Sequence, residues 1–189
     1  LPPYIKRPPD ADDSVYYQTV YARENGSVAA PTAGLHFTPA LLADLQQRGV
    51  RHFCVTLHVG LGTFKSVTAD DITQHVMGSE YCEVPEETQA AIAKARHDKK
   101  RVIAVGTTTC RTLETFGRGQ AKGFSNLFMY PGYDFNIVDG ILTNFHLPRT
   151  TLFMLVCAFA GTELARRAYA CAVEKKYRFY SYGDAMLVV

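Results

Sequence analysis

The chain lacks any apolar run long enough to cross a membrane. Its longest is Leu152 to Ala160, whereas a spanning helix needs ~20 apolar residues. It also lacks an excess of one charge: Lys+Arg number 20 against Asp+Glu 18 in 189 residues. That balance neither demands nor excludes a nucleic-acid partner. There is no CxxC, and the five cysteines, at 54, 82, 110, 157 and 171, are an odd count in apolar surroundings. This argues against a disulfide framework and for a reduced, cytoplasmic protein. No signal-peptide pattern, internal repeat or low-complexity tract is present. The dinucleotide fingerprint GxGxxG is missing, as are HExxH and any Cys/His cluster, so no metal is expected.

What is present begins with a core. At 47% hydrophobic, the chain can bury one full domain, or one with a small addition. Residues 1–13, rich in proline, read as an extended connector. Asp12 or Asp13 can cap a helix through Val15, Tyr16, Gln18 and Thr19. Tyr16, Tyr17 and Tyr21 are either core or a platform for a base. Ser27 to Ala30 reads as a short strand. It leads into Ala30-Pro31-Thr32-Ala33-Gly34-Leu35-His36-Phe37, a loop pinned against a helix start. Thr38 is the expected N-cap, Pro39 the first helical residue, Leu41, Leu42 and Leu45 the apolar face, and Gly49 the end. His36 is either a solvent-facing loop residue or a site group.

Phe53 to Val59 has strand composition and ends at His58, followed by Gly60-Leu61-Gly62. His58 is a site candidate or a structural histidine. His75 to Glu80 is irregular. Pro85 to Arg96 reads as a helix with acidic first and basic last turns, its basic end a solvated face or a phosphate patch. Val102 to Val105 is a buried strand, Gly106 to Thr109 a turn, and Cys110 to Glu114 a helix. A strand, a turn of small residues and a helix N-terminus put free N–H groups at a sheet edge, where α/β proteins bind ligands. Arg111 and Glu114 can share a face of that helix, and Cys110 reads as a buried small hydrophobe. Gly117 to Ser125 reads as a polar loop, Leu127 to Tyr130 as a strand, and Asp139-Gly140 as a hairpin turn. A strand from Ile141 ends at Asn144 and His146. Thr150 or Thr151 caps a buried helix to Ala160, a second helix runs from Glu163 to Lys175, and Arg178 to Tyr182 is a last strand before Gly183-Asp184. The alternation predicts an α/β fold of layered sheet and helices. Its polar strand ends, His36, His58, Thr107, Asn144, His146 and Asp184, predict a ligand site on one sheet edge.

Eight stretches carry more than pattern: PPYI (2–5), YQTVYA (17–22), APTAGLHFT (30–38), TLHVGLGTF (56–64), GTTTCRTLE (106–114), FMYPGYDF (128–135), TNFHLPRTTLFMLV (143–156) and YRFYSYGDAM (177–186). Together, and in this order, they resemble the S-adenosylmethionine:tRNA ribosyltransferase-isomerase family of queuosine biosynthesis, nearly end to end. Two departures stand out. The family carries a second histidine where this chain has Gly78. Its members also have a long segment before PPYI, including the first part of the α/β domain and an inserted small β-barrel. The resemblance therefore implies that residues 14–189 are the C-terminal part of an α/β domain incomplete at its N-terminus. It further implies exposed apolar edges and no turnover by this stretch alone.

The resemblance implies transfer of the ribosyl part of S-adenosylmethionine to a 7-aminomethyl-7-deazaguanine at the tRNA wobble position. The ribosyl unit is rearranged to give epoxyqueuosine, and adenine and methionine leave. S-adenosylmethionine is thus a substrate and tRNA a partner, with the missing front segment or a second copy as a further partner. Such a site needs a base for a proton beside the sulfonium, groups that hold the cation, and a pocket for a flipped base. Glu80 and Tyr182 are of suitable type. The assigned catalytic candidates are His36, His58 and Asp184. The groups expected to hold S-adenosylmethionine are Thr107, Thr108, Arg111, Tyr130, Asn144 and His146. His36 is the first choice for the base, since a following helix N-terminus disfavours imidazolium. Two other classes remain beside this one: a non-catalytic tRNA- or partner-binding remnant, and a hydrolase with a His/Glu/Asp site.

Overall fold

The computed structural model describes residues 5–27, 29–60, 67 and 71–189. Two three-stranded sheets are built from β1 (Thr56–His58), β2 (Glu80–Glu83), β3 (Ile103–Val105), β4 (Lys122–Ser125), β5 (Gly140–Asn144) and β6 (Ala185–Val188). The first has the order β1-β2-β4 and is antiparallel, with Leu57 opposite Cys82 and Cys82 opposite Gly123. The second has the order β3-β5-β6. Here β3 runs parallel to β5, Ala104 opposite Ile141, and β6 runs antiparallel to it, Asn144 opposite Ala185.

The helices are α1 (Asp13–Tyr16), α2 (Pro39–Gln47), α3 (Glu86–His97), α4 (Thr107–Gly117), α5 (Thr151–Ala160) and α6 (Thr162–Glu174), with 3-10 turns at Thr32–His36 and Ile72–Gln74. A mixed α/β fold is therefore observed. Helix α4 packs against β3 and β5 of one sheet and β1 and β4 of the other, so it joins the two. Parallel strands need such a crossover, because no tight turn can reverse the chain twice. Seven of its residues are buried, Thr107 and Cys110 to Thr115. The main core gathers Ile92, Ala104, Cys110, Leu113, Met129, Ile141 and Leu155 around it.

Local chemistry explains several boundaries. The Thr38 hydroxyl accepts from the Leu41 N–H at 3.1 Å, Pro39 opens α2, and Gly49 follows its end at φ +82°. Thr150 caps α5 in the same way, accepting from Phe153 N–H at 3.2 Å. The buried helix expected from Thr150 or Thr151 to Ala160 is present, with no residue fully exposed. Helix α2 differs from expectation: it buries none of its residues, and Leu41 is 40% exposed. The basic end of α3 is largely solvated. Lys94 pairs with Asp98 at 2.8 Å, and the Arg96 guanidinium donates to the Asn136 carbonyl.

Other elements correct the sequence reading. Helix α1 stops at Tyr16, and Thr19 is buried beyond it. Ser27, Ala29 and Ala30 form no strand, while Val28, Leu1 to Tyr4 and Leu61 to Phe64 lie outside the described residues. The irregular stretch before Pro85 holds β2, and the polar loop from Gly117 holds β4. Leu127 to Tyr130 forms no strand. Asp139-Gly140 makes no hairpin. Asp139 N–H donates to the Val102 carbonyl at 2.8 Å, and its carboxylate accepts from Val102 N–H at 2.8 Å, which prolongs the parallel pairing. The last strand is β6, not Arg178 to Tyr182. Asp184 closes that segment into a loop, its carboxylate accepting from Arg178 N–H at 2.7 Å and its own N–H donating to the Arg178 carbonyl at 2.8 Å.

Candidate functional site

The ends of several strands meet at one edge. β3 and β5 point their C-terminal ends there, β6 begins there, and α4 starts directly after β3. Gly106 makes the strand-to-helix turn at φ +94°, a conformation that L side chains rarely adopt. It leaves α4 without a side-chain cap, so its first N–H groups have no intrahelical partner.

The Pro/Gly loop is brought to this edge by its own packing. A Cβ on Gly34 would overlap the Tyr21 hydroxyl, so only glycine permits this close approach. The turn Thr32–His36 lies on β5, and the Thr32 hydroxyl donates to Asn144 Oδ1 at 2.9 Å. Asn144 Nδ2 reaches the Gly183 and Asp184 carbonyls at 3.4 and 3.5 Å. Hydrogen bonds to Arg178 backbone and side chain hold Asp184 below the usual carboxylate range, and the nearby His36 lowers it further. The structure thus brings together His36, Asn144 and Asp184. His36 is exposed at the end of its turn, and Asn144 is buried beneath it.

Beside this edge lies a narrow, open-mouthed cleft. Thr107, Thr108 and Arg111 of α4 line it, with Phe128, Met129, Thr151 and Leu155 opposite. Arg111 is 6% exposed and forms an ion pair with Glu80, which is 5% exposed. Glu80 also accepts from Gly60 N–H at 2.7 Å. Burial pushes the Arg111 pKa down to about 10, so it stays a cation at neutral pH. Arg111 and Glu114 therefore face different partners. Glu114 is fully buried and accepts from the Ile137, Val138 and Asn136 N–H groups at 2.8–2.9 Å and from the Tyr133 hydroxyl at 3.2 Å.

The remaining expected site residues are placed apart from these groups. His58 stacks on Tyr81, centroids 5.7 Å apart, and its ring leaves no room for a side chain at Gly26. Tyr130 packs on Phe128 at 5.1 Å, behind the cleft wall. Tyr182 turns to the N-terminal segment, its hydroxyl 3.3 Å from Asp13 and its ring edge-on to Tyr17. Tyr16 is exposed rather than part of the core. Cys110 is buried as expected, and burial pushes its thiol well up. Among the described residues, no group of three or more His, Cys, Asp or Glu is placed to hold a metal ion, and no helix is long and apolar enough to cross a membrane.

His146 follows Asn144 but does not share its surroundings. Its Nε2 lies 2.7 Å from the Thr143 hydroxyl, and its backbone N–H donates to the Tyr169 hydroxyl at 3.1 Å. Side chains alternate along a strand, so Thr143 and Asn144 occupy opposite faces. The residue is half-buried, but its ring is enclosed, and burial pushes the pKa down to about 4. Below about pH 6.5 the unfolded chain takes up a proton that the folded ring refuses. Stability is therefore complete above that pH and is lost as pH falls towards 4. We expect urea unfolding to give about 2 kcal/mol less stability at pH 5 than at pH 7 from this group. His146→Gln should flatten that dependence. An equal loss in parent and variant would show that His146 is not the cause.

No local pattern marks the Glu80–Arg111 pair, Thr151 as a cleft residue, or Glu114 as a loop anchor. All three depend on contacts distant in the chain. The Thr150-Thr151 pair before an apolar run was the one usable signal.

A family model described as queuosine biosynthesis protein matches residues 1–188. The S-adenosylmethionine:tRNA ribosyltransferase-isomerase of Sulfurihydrogenibium sp. (strain YO3AOP1) is 56% identical over 190 residues, covering 100% of this chain and 56% of that protein. The protein of the same name from Heliobacterium modesticaldum is 54% identical over 195 residues, covering 100% of this chain and 57% of its own length. The chain thus spans a little over half the length of these curated relatives. A crystal structure of S-adenosylmethionine tRNA ribosyltransferase from Thermotoga maritima superposes with a TM-score of 0.70 at 44% identity, covering 83% of this chain and 51% of that one. By a match that runs over nearly every residue, the chain belongs to the queuosine biosynthesis protein family.

Proposed function

We propose that the intact protein transfers and isomerises the ribosyl unit of S-adenosylmethionine onto a 7-aminomethyl-7-deazaguanine in tRNA. The product is epoxyqueuosine-tRNA, and adenine and methionine leave. The observation that carries this reading is the convergence of His36, Asn144 and Asp184 beside the Thr107–Arg111 turn, at the edge where β3 and β5 end. Ligands of α/β folds bind at such edges.

In this reading the chain's own groups divide the work. His36, exposed towards solvent, accepts the proton beside the sulfonium. Asp184, ionised and held by Arg178, supplies negative charge near that cation. Asn144, fixed by Thr32, ties the His36 turn to the Gly183-Asp184 backbone and so positions both groups. Phe128, with Tyr130 behind it, gives an aromatic face suited to a sulfonium. With S-adenosylmethionine and tRNA bearing the deazaguanine at its wobble position, the intact protein should release adenine. No release with both substrates present would reject the reading.

A second reading draws on α2, which buries none of its residues fully and leaves Leu41 40% exposed. There the chain is a tRNA- or partner-binding piece without catalysis, and the same assay separates the two.

A further inference from the structure

Two helices direct their N-termini into the cleft beside the strand ends. Thr107 and Thr108 open α4, and Thr151 opens α5. Each terminus carries about half a positive charge and N–H groups without intrahelical partners. A second observation is independent of this geometry. Arg111 is 6% exposed, yet among the described residues its Nε has no hydrogen-bond partner. Thr151 is 7% exposed, and its hydroxyl is likewise without a partner. Buried polar groups are nearly always hydrogen-bonded, and each orphan costs free energy. Both of these line the same cleft.

Glu80 takes one edge of the Arg111 guanidinium and neutralises it. The guanidinium carries five donors, so Nε remains for another acceptor. The opposite wall is apolar: Met77, Phe128, Met129 and Leu155. A ligand suited to this cleft is anionic at one end and aliphatic or thioether-like behind it. A phosphate on an RNA backbone would bring a bulky, strongly hydrated and more exposed anion against these walls.

We propose that the cleft between the N-termini of α4 and α5 receives the α-carboxylate of the methionine part of S-adenosylmethionine, with Arg111 Nε and the Thr151 hydroxyl as donors. The proposal rests on the reading that S-adenosylmethionine is the substrate. The aminoacyl tail then enters the cleft, and the ribose and adenine face His36, Asn144 and Asp184. Thr151 and Arg111 act as binding and positioning residues, remote from the reacting atoms.

The test compares S-adenosylmethionine with its decarboxylated analogue by calorimetry on the intact protein. The analogue should bind about tenfold to a hundredfold more weakly, the range of a hydrogen bond to a charged group. Thr151→Val keeps the side-chain shape and removes only the hydroxyl. It should shrink that ratio by about threefold to tenfold. If S-adenosylmethionine binds but both ligands bind equally, the carboxylate lies elsewhere and the substrate reading stands. If neither ligand binds, the substrate reading fails, and this proposal with it. If Thr151→Val weakens tRNA binding and leaves the ratio at the parent value, the cleft takes RNA phosphate and the assignment is wrong.

Discussion

Glu114→Gln is expected to lower the unfolding free energy by about 2–4 kcal/mol, the combined scale of lost charge-assisted hydrogen bonds and a newly unsatisfied buried group. The Glu114 carboxylate is fully buried and receives three backbone N–H groups, from Asn136, Ile137 and Val138, and the Tyr133 hydroxyl. A glutamine amide offers one oxygen. Its NH2 would stand against N–H donors in a site closed to water. The loop before β5 would then lose its anchor on α4. Urea unfolding at neutral pH measures this directly. A change below about 0.5 kcal/mol, the size of an ordinary surface substitution, would mean that the loop is held by packing alone. The same helix carries Thr107, Thr108 and Arg111, so the variant should also bind S-adenosylmethionine less well.

His36→Ala is expected to reduce turnover about 10²–10⁴-fold, the usual contribution of a positioned general base. The fall should appear equally in hydrogen exchange with deuterated solvent at the 5′ carbon of S-adenosylmethionine. The structure supports the choice through position. His36 is exposed at the mouth of the edge, near the Asp184 carboxylate, on a turn fixed by Thr32 and Gly34. His58 is stacked on Tyr81, and His146 is enclosed beside Thr143 on the opposite face of β5. Exchange and product formation near the parent rate would remove His36 from this role and make His58 the next candidate.

Features set by neighbouring residues were legible in the sequence. Thr38, Pro39 and Gly49 mark α2, and Thr150 marks α5, because caps act within one turn. The strand, glycine turn and helix start from Val102 to Thr109 are legible too, as β3, Gly106 and the first turn of α4. Features that depend on distant partners were not legible. β2 and β4 are four residues each and exist through their mutual pairing. Arg178 to Tyr182 has strand composition, yet Asp184 captures Arg178 and folds it into a loop, leaving Ala185 to pair with Asn144. Local propensity yields to such contacts. For the same reason the pairing of Arg111 with Glu80 and the separation of His146 from Asn144 have no mark in the local sequence. The apolar side of α2 is visible in Leu41, Leu42 and Leu45, but the exposure of Leu41 is not.

The most direct measurement follows the ribose. S-adenosylmethionine carrying carbon-14 in its ribosyl unit is incubated with the intact protein and tRNA bearing 7-aminomethyl-7-deazaguanine at the wobble position. The proposed function predicts that label enters the tRNA in equal amount with the adenine and methionine released, and that tRNA with guanine there takes up none. Adenine release without label in the tRNA, or label transfer that ignores the wobble base, would contradict it.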